Sequence, residues 1–542
     1  MSKLLFGKRI YFFDMYPILF YNKFILLVGR IKGFVGNRKV LAMRKVNWKI
    51  KDMVGILLLC SGAYILFRMI GFGLSEDIWY DEVFSAGMMR YSYKEIVEFT
   101  AKDVHPPFYY WYLKTVADMG SLLLKQTDPI VFAKLASVFP MMGLWTLAIT
   151  YVRKIFGLFT AGMFVFCTFS MPQLAVYGVE IRMYSLALLL VTMAYFFGYE
   201  IYRTKNRKAF IGLFITGILT AYTQYFSCIM IVILYLLVGL AVRKDSELRK
   251  KWWLNIVASI LCYLPWLGIL ISQFTTVNSS YWIPPLTWKS LLGCIKYIYL
   301  PSGGYPMLNT IMAVAMILAT MLLAVIYFCK RGSLLNWFEE EGFLVLLSWG
   351  ILGGLIVIGV SVSILLSPIF VYRYMIPCLG AYWFVYGMLL DKCHRKWVWL
   401  LITIMTVLVG ITNIKGIFWE ENHKVTQMQE TREGLGKIQE EDVLIYNFNH
   451  VQATVGYYKN NDSYLLYQEA EELIQEIYRE YGMIEEADQI KDLLKRGRKV
   501  WFLGSFHSRE DIVKEWEQQG LKVTEVGSYL LERYWFNLYS VE

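Results

Sequence analysis

Residues Trp79 to Lys114 read WYDEVFSAGMMRYSYKEIVEFTAKDVHPPFYYWYLK. The segment is rich in acids and aromatic rings, and it follows directly on the first long apolar run of the chain. Asp81 and Glu82 come within about ten residues of that run, which places them beside a membrane surface if the run is a span. Asp103 and His105 follow, and the two prolines after His105 set a rigid, extended turn that ends any helix there. Phe108 to Tyr112 suit a helix lying in the membrane interface, where aromatic rings collect.

The rest of the chain supports that membrane. Of its 542 residues, 57% are hydrophobic and 18% charged, against roughly a quarter charged in soluble domains. Apolar runs near twenty residues recur, and continuous runs favour helices over a barrel of alternating strands. The expected spans are about 53–72, 129–150, 156–173, 180–201, 209–226, 227–242, 254–272, 308–328, 343–366, 370–390 and 397–414. The fold class is thus a polytopic α-helical membrane protein of about eleven transmembrane helices, residues 51–414, with its large outer loop at 73–128.

The charges are uneven. The first 51 residues hold twelve Lys or Arg and one acid, Asp14, and so carry +11, the net charge of the whole chain. Residues 1–50 read as a basic, amphipathic arm on the cytoplasmic membrane surface, bound to anionic headgroups. Nucleic acid is excluded as a partner, because the basic excess sits beside a span. Lys and Arg crowd one alternate set of loops, at 153–154, 203–208, 243–251, 330–331 and 392–396, which puts that set in the cytoplasm. The N-terminus is then cytoplasmic, and the 73–128 loop and the C-terminal tail are extracytoplasmic.

The tail, 415–542, holds 24 of the 43 acids. EDVLIYNF and KVWFLGSF read as strands, and 469–481, 485–496 and 509–519 as helices. KVTEVGSYLLERYWFNLYSV reads as one or two more strands, which makes a small α/β domain. It has no phosphate-binding glycine loop. The eight cysteines show no CxxC spacing and read as free, apolar-like thiols.

Three sets of residues carry candidate chemistry, all expected on the outer side. In the first loop, Asp81, Glu82 and Asp103 can act as general base, hold a divalent metal, or simply be solvated charges. In YGVEIRMYSL (177–186), Arg182 either pairs with Glu180 or grips a phosphate with its planar fork, with Tyr184 beside it. In SPIFVYRYMIP (367–377), Arg373 lies just inside a span, where a cation is costly and by default functional unless it snorkels outward. TQYF (223–226) and YWIPPLTW (281–288) add aromatic belt residues. A carboxylate and one or two arginines facing a common outer cavity match group transfer from a lipid-linked phosphate to a hydroxyl or amine.

YDE, then DVHPP, then ExRxY at the head of the fourth span, in this order, resemble the polytopic GT-C glycosyltransferases. The likeness runs to protein O-mannosyltransferases, lipid A aminoarabinose transferases and bacterial polysaccharide-modifying enzymes, and covers about 53–414. It implies a polyprenyl-phosphate-linked sugar donor and an inverting transfer on the outer face of the plasma membrane, to an envelope glycan, lipid or protein. By the same resemblance Asp81 is the catalytic acid of the first outer loop and Glu82 its acceptor-binding neighbour. Asp103 and His105 form the second loop motif, Arg182 meets the donor phosphate, and Arg373 is a second basic residue near it. No cofactor is expected to be required, although some members of the clan use a divalent metal. The rival reading is a transporter or flippase of lipid-linked precursors, which would place ionisable groups at the bilayer midplane and show paired repeats.

Overall fold

The computed structural model describes residues 50–124, 127–277, 285–299, 305–330, 340–466, 482–484 and 487–542, with Ile283 and Ile477. The basic arm of residues 1–49, Tyr281, Trp282 and Pro284 of the 281–288 belt, and all but Ile477 of the helix expected at 469–481 lie outside the described residues.

Helix α1 (Ile50–Ser75) ends where the quoted segment begins. That segment folds into three short helices: α2 (Tyr80–Met88), α3 (Tyr93–Lys102) and α4 (Phe108–Leu123). Ser92 caps α3 by accepting from Glu95 N at 3.3 Å, while Glu95 accepts from Ser92 N at 2.8 Å, a reciprocal box. The prolines close α3 off from α4, and Phe108 N donates to Tyr222 O at 3.0 Å. Asp128 caps α5 (Pro129–Leu147), which continues through a π turn to Phe156.

The bundle continues through α6 (Leu158–Ser170), α7 (Pro172–Tyr177), α8 (Tyr184–Thr204), α9 (Arg207–Ala221), α10 (Tyr225–Val242) and α11 (Ser246–Val277). After these come α12 (Trp288–Ile298), α13 (Pro306–Lys330), α14 (Glu340–Leu365), a 3-10 turn at Tyr372–Cys378, α15 (Leu379–Lys392) and α16 (Lys396–Leu435). Helices α1 and α6 cross at close backbone approach. A Cβ on Gly162 would stand 2.3 Å from Gly55 O, so only glycine lets the two backbones approach this far.

Among the described residues eight helices are long and apolar enough to cross a membrane, which makes this an integral membrane protein. Three of the eleven expected spans are shorter helices: α6, α9 and α15, with 13, 15 and 14 residues. At about 1.5 Å per residue these fall short of a bilayer core of about 30 Å. The apolar run at 370–390 is split because Pro377 holds the preceding residues in the 3-10 turn. Helices α6 and α15 are buried along nearly their whole length, enclosed by the longer helices. Lys51 at the start of α1 pairs with Asp391 at the end of α15, tying together the helix ends opposite the quoted segment.

Helix α16 runs for 40 residues, straight through position 414 where the tail was expected to begin. The tail is a six-stranded sheet in the order β3-β2-β1-β4-β6-β5. Its strands are β1 (Val443–Tyr446), β2 (Asp462–Leu465), β3 (Gly482–Met483), β4 (Val500–Gly504), β5 (Val523–Leu531) and β6 (Tyr534–Val541). The first four are parallel, and β5–β6 is an antiparallel hairpin. Alternation decides the two faces. Val443, Ile445, Val500 and Phe502 pack toward Ile490 of α18 (Ala487–Lys495) and Trp516 of α19 (Ser508–Gln518). Leu444, Tyr446, Trp501 and Leu503 pack toward Leu435 and toward Val451 and Val455 of α17 (Asn449–Tyr458). The sequence pattern found β1, β4, β5, β6, α18 and α19, and missed α17, β2 and β3.

Candidate active site

Asp81 is the second residue of α2. Its side chain is 22% exposed and lies between two guanidinium groups, with Oδ2 3.7 Å from Arg182 Nη2 and 3.5 Å from Arg373 Nη1. Arg182 also donates from Nη1 to the Asp81 carbonyl at 3.3 Å. Arg182 comes from the turn before α8, and Arg373 from the 3-10 turn before α15. Three segments far apart in sequence therefore meet at one end of the bundle, each at a helix terminus. Two cations, Arg182 buried and Arg373 half-buried, flank the Asp81 carboxylate, an arrangement suited to an anion. The Asp81 contacts are longer than the roughly 2.7–2.9 Å of a full charge-assisted bond, so its oxygens are oriented without being consumed.

Tyr184 opens α8 beneath Arg373, whose Cζ sits 6.0 Å from the Tyr184 ring. The hydroxyls of Tyr184 and Tyr110 are buried and accept or donate no hydrogen bond among the described residues. Asp103, at the C-cap of α3, pairs with His105, Oδ2 to Nδ1 at 3.0 Å. Asp103 adds to the negative potential felt by Arg182 and Tyr110, so the second loop motif borders the site without touching Asp81 directly.

Glu82 stands elsewhere. Its side chain is 2% exposed, and it accepts from Lys134 Nζ at 2.6 Å, from Ile181 N at 2.7 Å and from Trp79 N at 3.2 Å. Both of its oxygens are thus engaged by donors within the protein. Glu82 instead ties α2, α5 and the Glu180–Arg182 turn into one unit. Glu180 is likewise engaged: it is 4% exposed and pairs with Arg533 at 2.5 Å, and burial pushes its carboxyl up to about 7.

Arg533 belongs to the tail, which closes over this end of the bundle. The tip of the β5–β6 hairpin lays Arg533 over the Trp79 ring at 3.8 Å. Glu532 beside it is buried and faces Lys424 at 3.7 Å, and burial lifts its carboxyl to about 8. Arg432 near the end of α16 pairs with Asp77 at 2.8 Å, Lys424 with Glu76 at 3.2 Å, and Tyr458 Oη accepts from Ile78 N at 3.0 Å. Lys134, Arg432 and Arg533 were not singled out from sequence. Only Lys134 carried a signal there, as a lone cation inside the apolar run PIVFAKLASVF. Among the described residues no three His, Cys, Asp or Glu side chains gather as a metal-binding cluster.

No protein-family model matches the chain, and no curated protein matches it. Solved structures do. The crystal structure of ArnT from Cupriavidus metallidurans bound to undecaprenyl phosphate superposes with a TM-score of 0.56 at 12% identity, covering 91% of this chain and 98% of that one. The same ArnT in the apo state gives 0.53 at 12% identity, covering 90% and 97%. The chain therefore shares the fold of these ArnT structures over about nine-tenths of its length.

Proposed function

We propose that this protein is a membrane glycosyltransferase that moves a sugar from a polyprenyl-phosphate-linked donor to an acceptor of the cell envelope, with inversion at the anomeric carbon. The observation that carries the reading is the Asp81 carboxylate held between Arg182 and Arg373 at one end of the bundle. The fold supports it, because one ArnT structure sharing that fold holds undecaprenyl phosphate.

In the proposed reaction, Asp81 takes the proton of an acceptor hydroxyl as its oxygen attacks the anomeric carbon from the face opposite the phosphate. The bond from that carbon to the phosphate oxygen breaks, and the electron pair leaves with the polyprenyl phosphate. Arg182 and Arg373 stabilise the charge that develops on the leaving phosphate. Tyr184 and Tyr110 offer buried hydroxyls to the same chamber, Asp103 and His105 shape its rim, and Glu82 positions α2 through Lys134. The side chains named here supply the chemistry, with no cofactor invoked. The site faces outward and the N-terminus inward, in keeping with the Lys and Arg bias of the loops.

The transporter reading is disfavoured by the position of the charges. Asp81, Arg182 and Arg373 cluster at helix ends, whereas transport sites sit near the midplane on interrupted helices. The deciding experiment incubates the purified protein with a panel of polyprenyl-phosphate sugars and envelope acceptors. Release of free polyprenyl phosphate matched by glycosylated acceptor is expected. Release of neither, alongside solute uptake into proteoliposomes, would reject the enzyme.

A further inference from the structure

The carboxyl edge of the tail sheet faces Asp81, and the transfer chemistry leaves it unused. In open α/β sheets, ligands bind outside the carboxyl ends of the strands where the strand order reverses. Here the chain steps outward from β1 to β2 and β3, then returns to lay β4 on the other side of β1, so the reversal lies between β1 and β4. The turns that follow these strands are pinned together: Asn447 Nδ2 donates to Ser505 O at 2.8 Å, and Ser505 N donates to Asn447 Oδ1 at 2.8 Å.

The wall of this crevice is aromatic and continuous with the catalytic helix. His450 stacks on Tyr80 at 3.8 Å, Phe448 stacks on His450 at 4.6 Å, and Phe506 meets Phe448 edge-on at 4.8 Å. Tyr534 closes the side, 5.3 Å from His450. Tyr80 immediately precedes Asp81, so a path of rings leads from the proposed base out to Phe506.

Phe506 is 64% exposed, with φ at +57°. A bulky residue rarely adopts the left-handed region, and such strain collects at ligand sites. Arg509 donates to the Phe506 carbonyl and holds the turn. The ring is thus displayed in the open, outside the core. Polar edges stand beside the rings: His450 Nδ1 meets Asn449 Oδ1 at 2.6 Å, which leaves Nε2 to present its lone pair when the ring is neutral. Burial draws His450 down to about 4, in keeping with a neutral ring.

Tyr80, His450 and Phe448 stack on one another, so the displayed ring is Phe506, and an open ring beside amide and imidazole edges suits a pyranose, which offers C–H faces and hydroxyl edges together. An extended peptide would instead add to a free sheet edge, and the edges here are β3 and β5, away from the crevice. The geometry points to an acceptor subsite at the β1–β4 crevice, which binds a saccharide chain against Phe506 and the polar edges of Asn449 and His450 and delivers one of its hydroxyls to Asp81. Only the fate of that hydroxyl rests on the glycosyltransferase reading.

The test uses the full chain in nanodiscs and a pool of oligosaccharides released from bacterial envelopes, with retained molecules identified by mass spectrometry. The wild type is expected to retain a saccharide. Phe506→Ala, at an exposed position, is expected to lower that retention about tenfold, the loss of one good aromatic contact. Phe506→Trp, which keeps a ring, is expected to hold on to it. No retained saccharide, equal retention by Phe506→Ala, or a retained peptide or lipid in its place would overturn the subsite. Undecaprenyl phosphate binding on the same nanodiscs is read separately: its absence rejects the transferase reading, and the saccharide result stands or falls by itself.

Discussion

Asp81 and Glu82 are neighbours in sequence and opposites in setting. Glu82 is sealed at 2% exposure against Lys134 at 2.6 Å, whereas Asp81 is 22% exposed between arginines at 3.5 and 3.7 Å. A helix turns about 100° per residue, so consecutive side chains on α2 point to different places. One points into the packing between helices, the other toward the two arginines. A short, fully enclosed ion pair cannot change partner during a reaction without exposing a bare charge in the interior. A longer, partly open one can exchange an arginine contact for a hydroxyl. The pair of acids thus divides into one that holds the frame and one that is free to react.

The sharpest break of this contrast is Asp81→Asn. It is expected to cut sugar transfer by about 100-fold or more, the usual worth of a positioned base, with no change in the melting temperature of the purified protein. Retained turnover would remove Asp81 from its role. The mirror experiment is Lys134→Met, expected to cost about 3–5 kcal/mol of stability because it strands the buried Glu82 charge. The double variant Glu82→Leu with Lys134→Met should recover most of that loss, since no charge is then left alone. Recovery would assign the pair to folding, and a stable but inactive double variant would move Glu82 into the chemistry.

A smaller effect is expected from Arg182→Lys, which keeps the charge and loses the planar fork. Donor affinity, read by binding of undecaprenyl phosphate, should fall about tenfold. An unchanged affinity would reduce Arg182 to a partner of Asp81. The smallest effect concerns pH. Glu180 and Glu532 have folded-state values of about 7 and 8, raised by burial from an ordinary 4.5. A raised carboxyl favours the folded state when protonated, so that contribution is full below about pH 4.5 and is lost as pH rises through 7 and 8. The melting temperature should decline across that window, and Glu532→Gln should flatten its upper part. A profile unaltered by this substitution would show that the hairpin tip does not sense pH.

Much of this arrangement is legible in the linear order of residues. The acids of the first loop, the DVHPP turn and the ExRxY segment each stand at the end of an apolar run, and helix ends are where the chain places them. The alternation of apolar residues located four of the tail strands. Other features are tertiary and leave little local trace. Glu82 finds Lys134 52 residues away, and Glu180 finds Arg533 353 residues away, through packing that no local pattern announces. Helices α6, α9 and α15 are shorter than the apolar runs that hold them, since hydropathy registers apolar length and is blind to a proline or turn that ends the helix inside the run. The short strand β3, two residues long, lies below any periodic signal.

One consequence of α16 remains. Forty unbroken residues reach about 60 Å, so the last membrane helix is also the mast on which the tail is mounted. Without a flexible joint there, the tail has no easy swing over this end of the bundle. Cutting the mast with a glycine pair near Lys415 would leave both halves folded but out of step, and their loss of joint action would measure how far rigidity itself serves as a working part.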